Sequence, residues 1–331
     1  MKLVNTLLAL LDRLGGLGSR AVAVILVIGI LFPFLGTIFR PYLTEAVFVL
    51  LSTSFLRMDM GAAKLYLQRP LLVVCATFWS AISIPILVWL ICLLVGLQEN
   101  FPELYLGIIL QAAASPIMSA PAFALLLGLD VTLVLITLMI TTAIVPLTVP
   151  VLVYLLIGPT LTISALALAL KLAGILCGAA AVGFALRWYF GTIAIERQGQ
   201  RINGLNLIML FVAAAAMMRD VGERAMSDPL IVLGFTLLAF VVFSGLLGLS
   251  LLVFLPAGKG RAMALGLMFA QRNVGLMLAA AGEVLPELTW LYFALAQFPI
   301  FFAPAMLQPL AGKLVKNRNQ SDETDQISKK P

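Results

Sequence analysis

The feature that most constrains this chain is a series of apolar runs of bilayer length, separated by short stretches of charge, Gly and Pro. A helix needs about 20 apolar residues to cross the hydrocarbon core. Backbone in lipid must satisfy its own polar groups, which leaves helices and closed barrels, and these runs are too long for barrel strands. Only 11% of the residues are charged and 62% are hydrophobic, whereas a water-soluble domain carries about 25% charge. The chain therefore reads as an all-α polytopic membrane protein.

About ten transmembrane helices are expected, near residues 21–39, 43–58, 70–97, 104–129, 131–157, 161–189, 202–218, 229–255, 262–281 and 288–314. In residues 1–20 the run Leu3–Leu11 is too short to span. It reads as a cytoplasmic, amphipathic lead-in helix rather than a cleaved signal peptide. Residues 315–331 are polar and read as a disordered cytoplasmic tail.

Of the 21 lysines and arginines, Lys171 and Arg272 fall inside spans. Arg40, Arg219 and Arg224 fall on one side, and the remainder, including Lys64, Arg69, Lys329 and Lys330, on the other. The positive-inside rule then puts both termini in the cytoplasm of a multi-pass protein of the cell (inner) membrane. The net charge of +6 sits in short loops and at the ends, so it does not point to nucleic acid. Glu99, Glu103, Glu283 and Glu287 fall on the non-cytoplasmic side and read as a solvated rim.

The turn at Gly158–Pro159 divides the spans into residues 21–157 and 161–314, five each. An odd number per half gives the halves opposite orientations, the inverted-repeat plan of many secondary transporters. The fourth span of each half is interrupted. Broken helices at matching positions mark a binding site in such proteins.

The first interruption is Ser115–Pro121, where Pro116 and Pro121 each remove a backbone donor. Ser119 is placed to cap the second half-helix, whose amide end attracts an anion. The second is Gln271–Arg272–Asn273–Val274–Gly275. An arginine at mid-membrane costs at least ~2.5–3.5 kcal/mol and faces protein or a watery cavity. Its planar fork suits a carboxylate or phosphate. Asn273 offers a donor and an acceptor, and Gly275 permits unusual dihedrals. The alternative for Arg272 is a structural role, bonding carbonyls freed in the crossing partner. The candidate substrate-binding residues are thus Ser115, Ser119, Gln271, Arg272, Asn273 and Gly275. Lys171 is placed to pair with Glu45 or to snorkel. Thr137, Thr141 and Thr142 face the crossing or bond their own backbone.

Several functions are disfavoured. With no histidine in the chain, imidazole relays and His–metal sites are excluded, and no nucleophile–base pair suggests an enzyme. Cys75, Cys92 and Cys177 lie in apolar runs without metal or disulfide spacing and read as small buried hydrophobes. No cofactor or metal is expected.

The stretch Ser115–Asp130, SPIMSAPAFALLLGLD, resembles the fourth-span signature of the bile acid:sodium symporter family, and QRNVGLMLA from Gln271 resembles its ninth-span signature. The resemblance implies a panel domain of spans one, two, six and seven, and a core domain of the rest. Solute would bind where the broken helices cross. The wider group includes transporters of arsenite and other small solutes. In sodium-coupled members a glutamate and a glutamine hold the ion where this chain has Met268 and Arg272, and a Ser-Asn pair stands at Ala120–Pro121. Asn273 and Asp130 do match. The expected function is a secondary transporter of a small or amphipathic organic anion, working by alternating access. Arg272 would replace the coupling cation, so sodium coupling is not expected. A non-transporting receptor on the same scaffold is the alternative. A cation/proton antiporter is a further one, though it lacks carboxylates at the crossings.

Overall fold

The computed structural model describes residues 2–16, 20–58, 70–158 and 164–328. Lys64, Arg69, Pro159, Lys329 and Lys330, used above to assign sidedness and the central turn, lie outside the described residues. So does the side chain of Glu283.

Among the described residues every regular element is a helix. The first half contains α1 (Lys2–Gly15), α2 (Arg20–Leu31), α3 (Pro33–Phe39) and α4 (Leu43–Leu56), with a 3-10 turn at Arg40–Tyr42 before α4. It continues with α5 (Pro70–Phe78), a π-turn at Trp79–Ser83, α6 (Ile84–Leu94) and the short α7 (Leu97–Asn100). It ends with α8 (Pro102–Ala113), α9 (Ala120–Leu126) and α10 (Val131–Ile157). The second half contains α11 (Ala165–Phe190), α12 (Thr192–Arg197), α13 (Gly199–Ser227), α14 (Pro229–Phe254), α15 (Lys259–Ala270), α16 (Val274–Ala281) and α17 (Glu287–Ser328).

Local chemistry explains most of the boundaries. Asp130 caps α10 by accepting from Leu133 N, and Ser164 caps α11 by accepting from Ala167 N, each at 3.1 Å. Gly191 ends α11 with φ +74°, a left-handed conformation that favours glycine. Leu288 N at the start of α17 donates to Glu103 Oε2 at 3.1 Å, and Thr289 Oγ1 donates to Glu103 O at 2.7 Å. Glu103 is therefore a cap supplied by a neighbouring helix, not just part of a solvated rim.

Seven stretches among the described residues are long and apolar enough to cross a membrane: Pro33–Leu56, Pro70–Leu94, Val131–Ile157, Ala165–Phe190, Gly199–Ser227, Pro229–Ala257 and Glu287–Pro309. This is an all-α membrane protein. The expected ten-span division differs at two kinds of place. Spans four and nine are each split into half-helices too short to qualify alone. Spans one and two divide elsewhere than expected. The break falls at Phe32, whose ψ of 71° is non-helical, because the following proline disfavours helical backbone before it. From Pro33 to Leu56 the helix is continuous. The last helix runs to Ser328, through most of the stretch expected to be unstructured; between Gly312 and Pro331 there is no Gly or Pro to stop it.

The helices pack in two groups. In one, α4 lies between α11 and α13, and α1, α2 and α3 lie along α13. Asp12 Oδ2 meets Arg201 Nε at 3.2 Å where α1 joins α13. A Cβ at Gly183 of α11 would lie 2.6 Å from Ser52 O, so only glycine lets α11 approach α4 this closely. In the other group, α14 packs on α15 and α17, α8 on α6, α10 and α17, and α10 on α5, α9 and α15. The groups meet where α16 packs on α4 and α11, where α17 packs on α13, and where α10 packs on α11. Arg40 in the first group pairs with Asp220 at 3.3 Å and stacks on the Trp290 ring of the second, 4.1 Å from its centroid.

Cys92 is buried, but Cys75 and Cys177 are exposed, and all three are free thiols. Burial within protein was expected for each. An apolar residue on a membrane helix is as well accommodated facing lipid, so hydrophobicity alone does not separate the two environments.

Candidate functional site

The two interruptions meet. Ile117 N donates to Gln271 O and Asn273 N donates to Ser115 O, both at 2.8 Å, making an antiparallel bridge between Pro116 and Arg272. One amide and one carbonyl of each break thus find a partner in the other, as a low-dielectric interior demands. Four half-helices converge on this bridge: α8 and α9 from the first half, α15 and α16 from the second.

The six candidate residues separate into two sets. Ser115, Gln271 and Arg272 are fully buried, each with 0% exposure. Ser119, Asn273 and Gly275 are partly exposed, as are Ile117, Met118 and Pro121. Gly275 lies against α4: a Cβ there would lie 3.7 Å from Val47 Cγ2.

Arg272 is the largest wholly buried side chain among the described residues. Its Nη1 donates to Ala114 O at 2.8 Å, Ser80 Oγ at 3.0 Å and Ser80 O at 3.3 Å. The Ala114 bond is the structural role set out as the alternative above, so Arg272 does brace the crossing. The same guanidinium leaves Nε and Nη2 without partners. It makes no ion pair among the described residues. Met268, at a sodium-ligand position of the resembled family, is also 0% exposed, and Ala120 is 1% exposed.

Ser80 escaped the sequence reading, although a signal for it exists. In the π-turn, Ile84 N donates to Trp79 O, five residues back. The next amide in that pattern belongs to Pro85, which has no N–H. Ser80 O is left for Arg272. The same logic applies on α17, where Pro304 offers no N–H to Ile300 O, and Gln271 Nε2 donates to that carbonyl at 3.1 Å. A proline four or five residues past a buried carbonyl therefore announces an acceptor that a buried polar side chain can seek.

Two expectations are corrected. Ser119 stands at the start of α9 with helical φ and ψ, and its side chain makes no capping bond. The capping residue is Asn273, whose Oδ1 accepts from Leu276 N at 3.0 Å at the start of α16. Gly275 has no positive φ, and a Cβ there would make ordinary contacts, so glycine is not sterically required. Thr141 bonds its own backbone through Thr137 O at 2.6 Å. Thr137 and Thr142 are buried with unpartnered hydroxyls. Glu45 and Lys171 are both exposed.

Two cavities lie apart from the crossing. One of about 390 Å³ opens between the two helix groups, lined by Ile30, Val221, Val232, Phe240 and Phe298, with Thr236 as its polar member. Thr236 spends its hydroxyl on Val232 O. Another of about 500 Å³ is lined by Leu71, Cys75, Phe78, Trp79 and Phe254. Neither includes any of the six candidates, and both suit hydrocarbon rather than a charged group.

No protein-family model matches the chain, and no curated protein matches it.

Proposed function

We propose that the protein is a secondary transporter of a small or amphipathic organic anion, with the crossing of the two interrupted segments as its binding centre. The observation that carries this reading is the Pro116–Arg272 bridge. It puts irregular backbone and a buried guanidinium in the interior of an all-α membrane protein, an arrangement tolerated where a cavity or pathway is served. Ser119 and Asn273, the partly exposed polar residues of the crossing, contact the solute. Arg272, behind them, sets the sign of the local field. The two helix groups supply bodies that can rock against each other around the crossing.

The bile acid:sodium symporter resemblance belongs to the same proposal, as do the inverted repeat and the cytoplasmic termini. Sodium coupling does not. A hard cation needs several oxygen ligands, and Met268, Ala120 and Pro121 bring no side-chain oxygen. A fixed guanidinium repels the ion.

A thermal-shift screen of the purified protein against taurocholate, pyruvate, pantoate and a simple sulfonate tests the reading. Ligand that binds the folded form raises its melting temperature, by an amount that grows with the logarithm of ligand concentration above Kd. At least one acid is expected to stabilise the protein equally in sodium and in choline buffer. Stabilisation that appears only with sodium contradicts the sodium-free mechanism.

A further inference from the structure

The guanidinium of Arg272 is used on one side only. Its end nitrogen Nη1 bonds to Ser80 and Ala114, which fixes the plane of the group. The other edge presents Nε–H and an Nη2–H side by side, the pair of donors with which arginine grips an anion. Both atoms are buried and have no partner among the described residues. A buried charge is normally paired, because desolvating it alone is costly, yet Arg272 makes no ion pair among the described residues. Ser115, Pro116, Ala270, Gln271 and Val274 around it are likewise buried. Because these surroundings are buried, a partner on this edge must be small.

We propose that the Nε–Nη2 edge of Arg272 is a binding site for a small inorganic anion of halide size, enclosed within the helix group that contains the crossing. The site is distinct from the face at Ser119 and Asn273. Its existence does not depend on transport, but it deepens the transport reading through one consequence. With the halide bound, the crossing is neutral; without it, the crossing is positive. Halide and organic anion therefore weaken each other's binding by the same factor, as linkage requires.

The test is a crystal of the wild-type protein grown or soaked in sodium bromide, with data collected at the bromine absorption edge. An anomalous peak is expected on the Nε–Nη2 edge. In parallel, the melting temperature in detergent is expected to rise by roughly 3 °C or more between low and high chloride at constant ionic strength, balanced with gluconate. Arg272→Lys keeps a positive charge but loses the paired donors, and its melting temperature is expected not to respond to chloride. No bromide peak at Arg272 together with a melting temperature indifferent to chloride overturns the proposal and assigns the donors to water. A bromide peak elsewhere with none at Arg272 overturns it as well. The wild-type crystal decides the matter even if the lysine variant fails to fold. Failure of the acid screen described above leaves this site standing, so the two readings fail separately.

Discussion

Ile117→Pro is expected to reduce solute uptake roughly 5- to 150-fold while leaving the helical content of the protein in place. The substitution removes the amide that donates to Gln271 O at 2.8 Å, one of the two bonds that join the interrupted segments. A buried carbonyl left without a partner costs about 1–3 kcal/mol. Spent against one geometry of the crossing, that energy corresponds to the stated range in a coupled equilibrium. The helices are untouched, because Ile117 lies in the break between α8 and α9. Ile117→Val retains the amide and is expected to behave as wild type. Uptake assays in proteoliposomes, with circular dichroism on the same preparations, check both variants. Wild-type uptake by Ile117→Pro would show that the bridge does not matter to transport.

Arg272→Ala is expected to be the most damaging single truncation at the crossing, and Arg272→Met to separate stability from function. Alanine leaves Ala114 O and Ser80 O without the donor that now serves them, at about 1–3 kcal/mol each. It also opens a cavity where the largest wholly buried side chain stood. Removing an unpaired buried charge acts in the other direction, but it does not refill the space or restore the bonds. The melting temperature is expected to fall by at least about 5 °C. Methionine loses the same two bonds but is unbranched and fills most of the volume, and it also removes the charge, so its melting temperature is expected to fall clearly less than that of Arg272→Ala. Its response to the stabilising organic acid is expected to vanish. If Arg272→Met keeps the wild-type acid response, the guanidinium braces the crossing and does nothing more.

The membrane class, most helix positions and the place of the crossing are legible in the chain because each follows from local composition. The helix Val131–Ile157 agrees with its apolar run to the residue, since Asp130 caps one end and Gly158 closes the other. The meeting of Ser115–Pro121 with Gln271–Gly275 was announced by the prolines and the arginine that interrupt the two apolar segments. What sequence did not reveal depends on partners far along the chain. The Ser80–Arg272 contact joins residues 192 apart, and the cap of α17 comes from Glu103, 185 residues away from Leu288. Exposure of Ser119 and burial of Ser115, four residues apart in one break, depend on which way the backbone turns between them. The redirected break at Phe32–Pro33 was readable in principle. Arg40–Pro41 offered a competing proline, and its 3-10 turn keeps the helix going instead.

The most direct test of the central claim is uptake of the stabilising organic acid, radiolabelled, into proteoliposomes of the wild-type protein, with external sodium replaced by choline. The account predicts saturable uptake above protein-free liposomes, at the same rate with either cation. Uptake that falls to the protein-free level when sodium is withdrawn, or that never exceeds it under either condition, would contradict it.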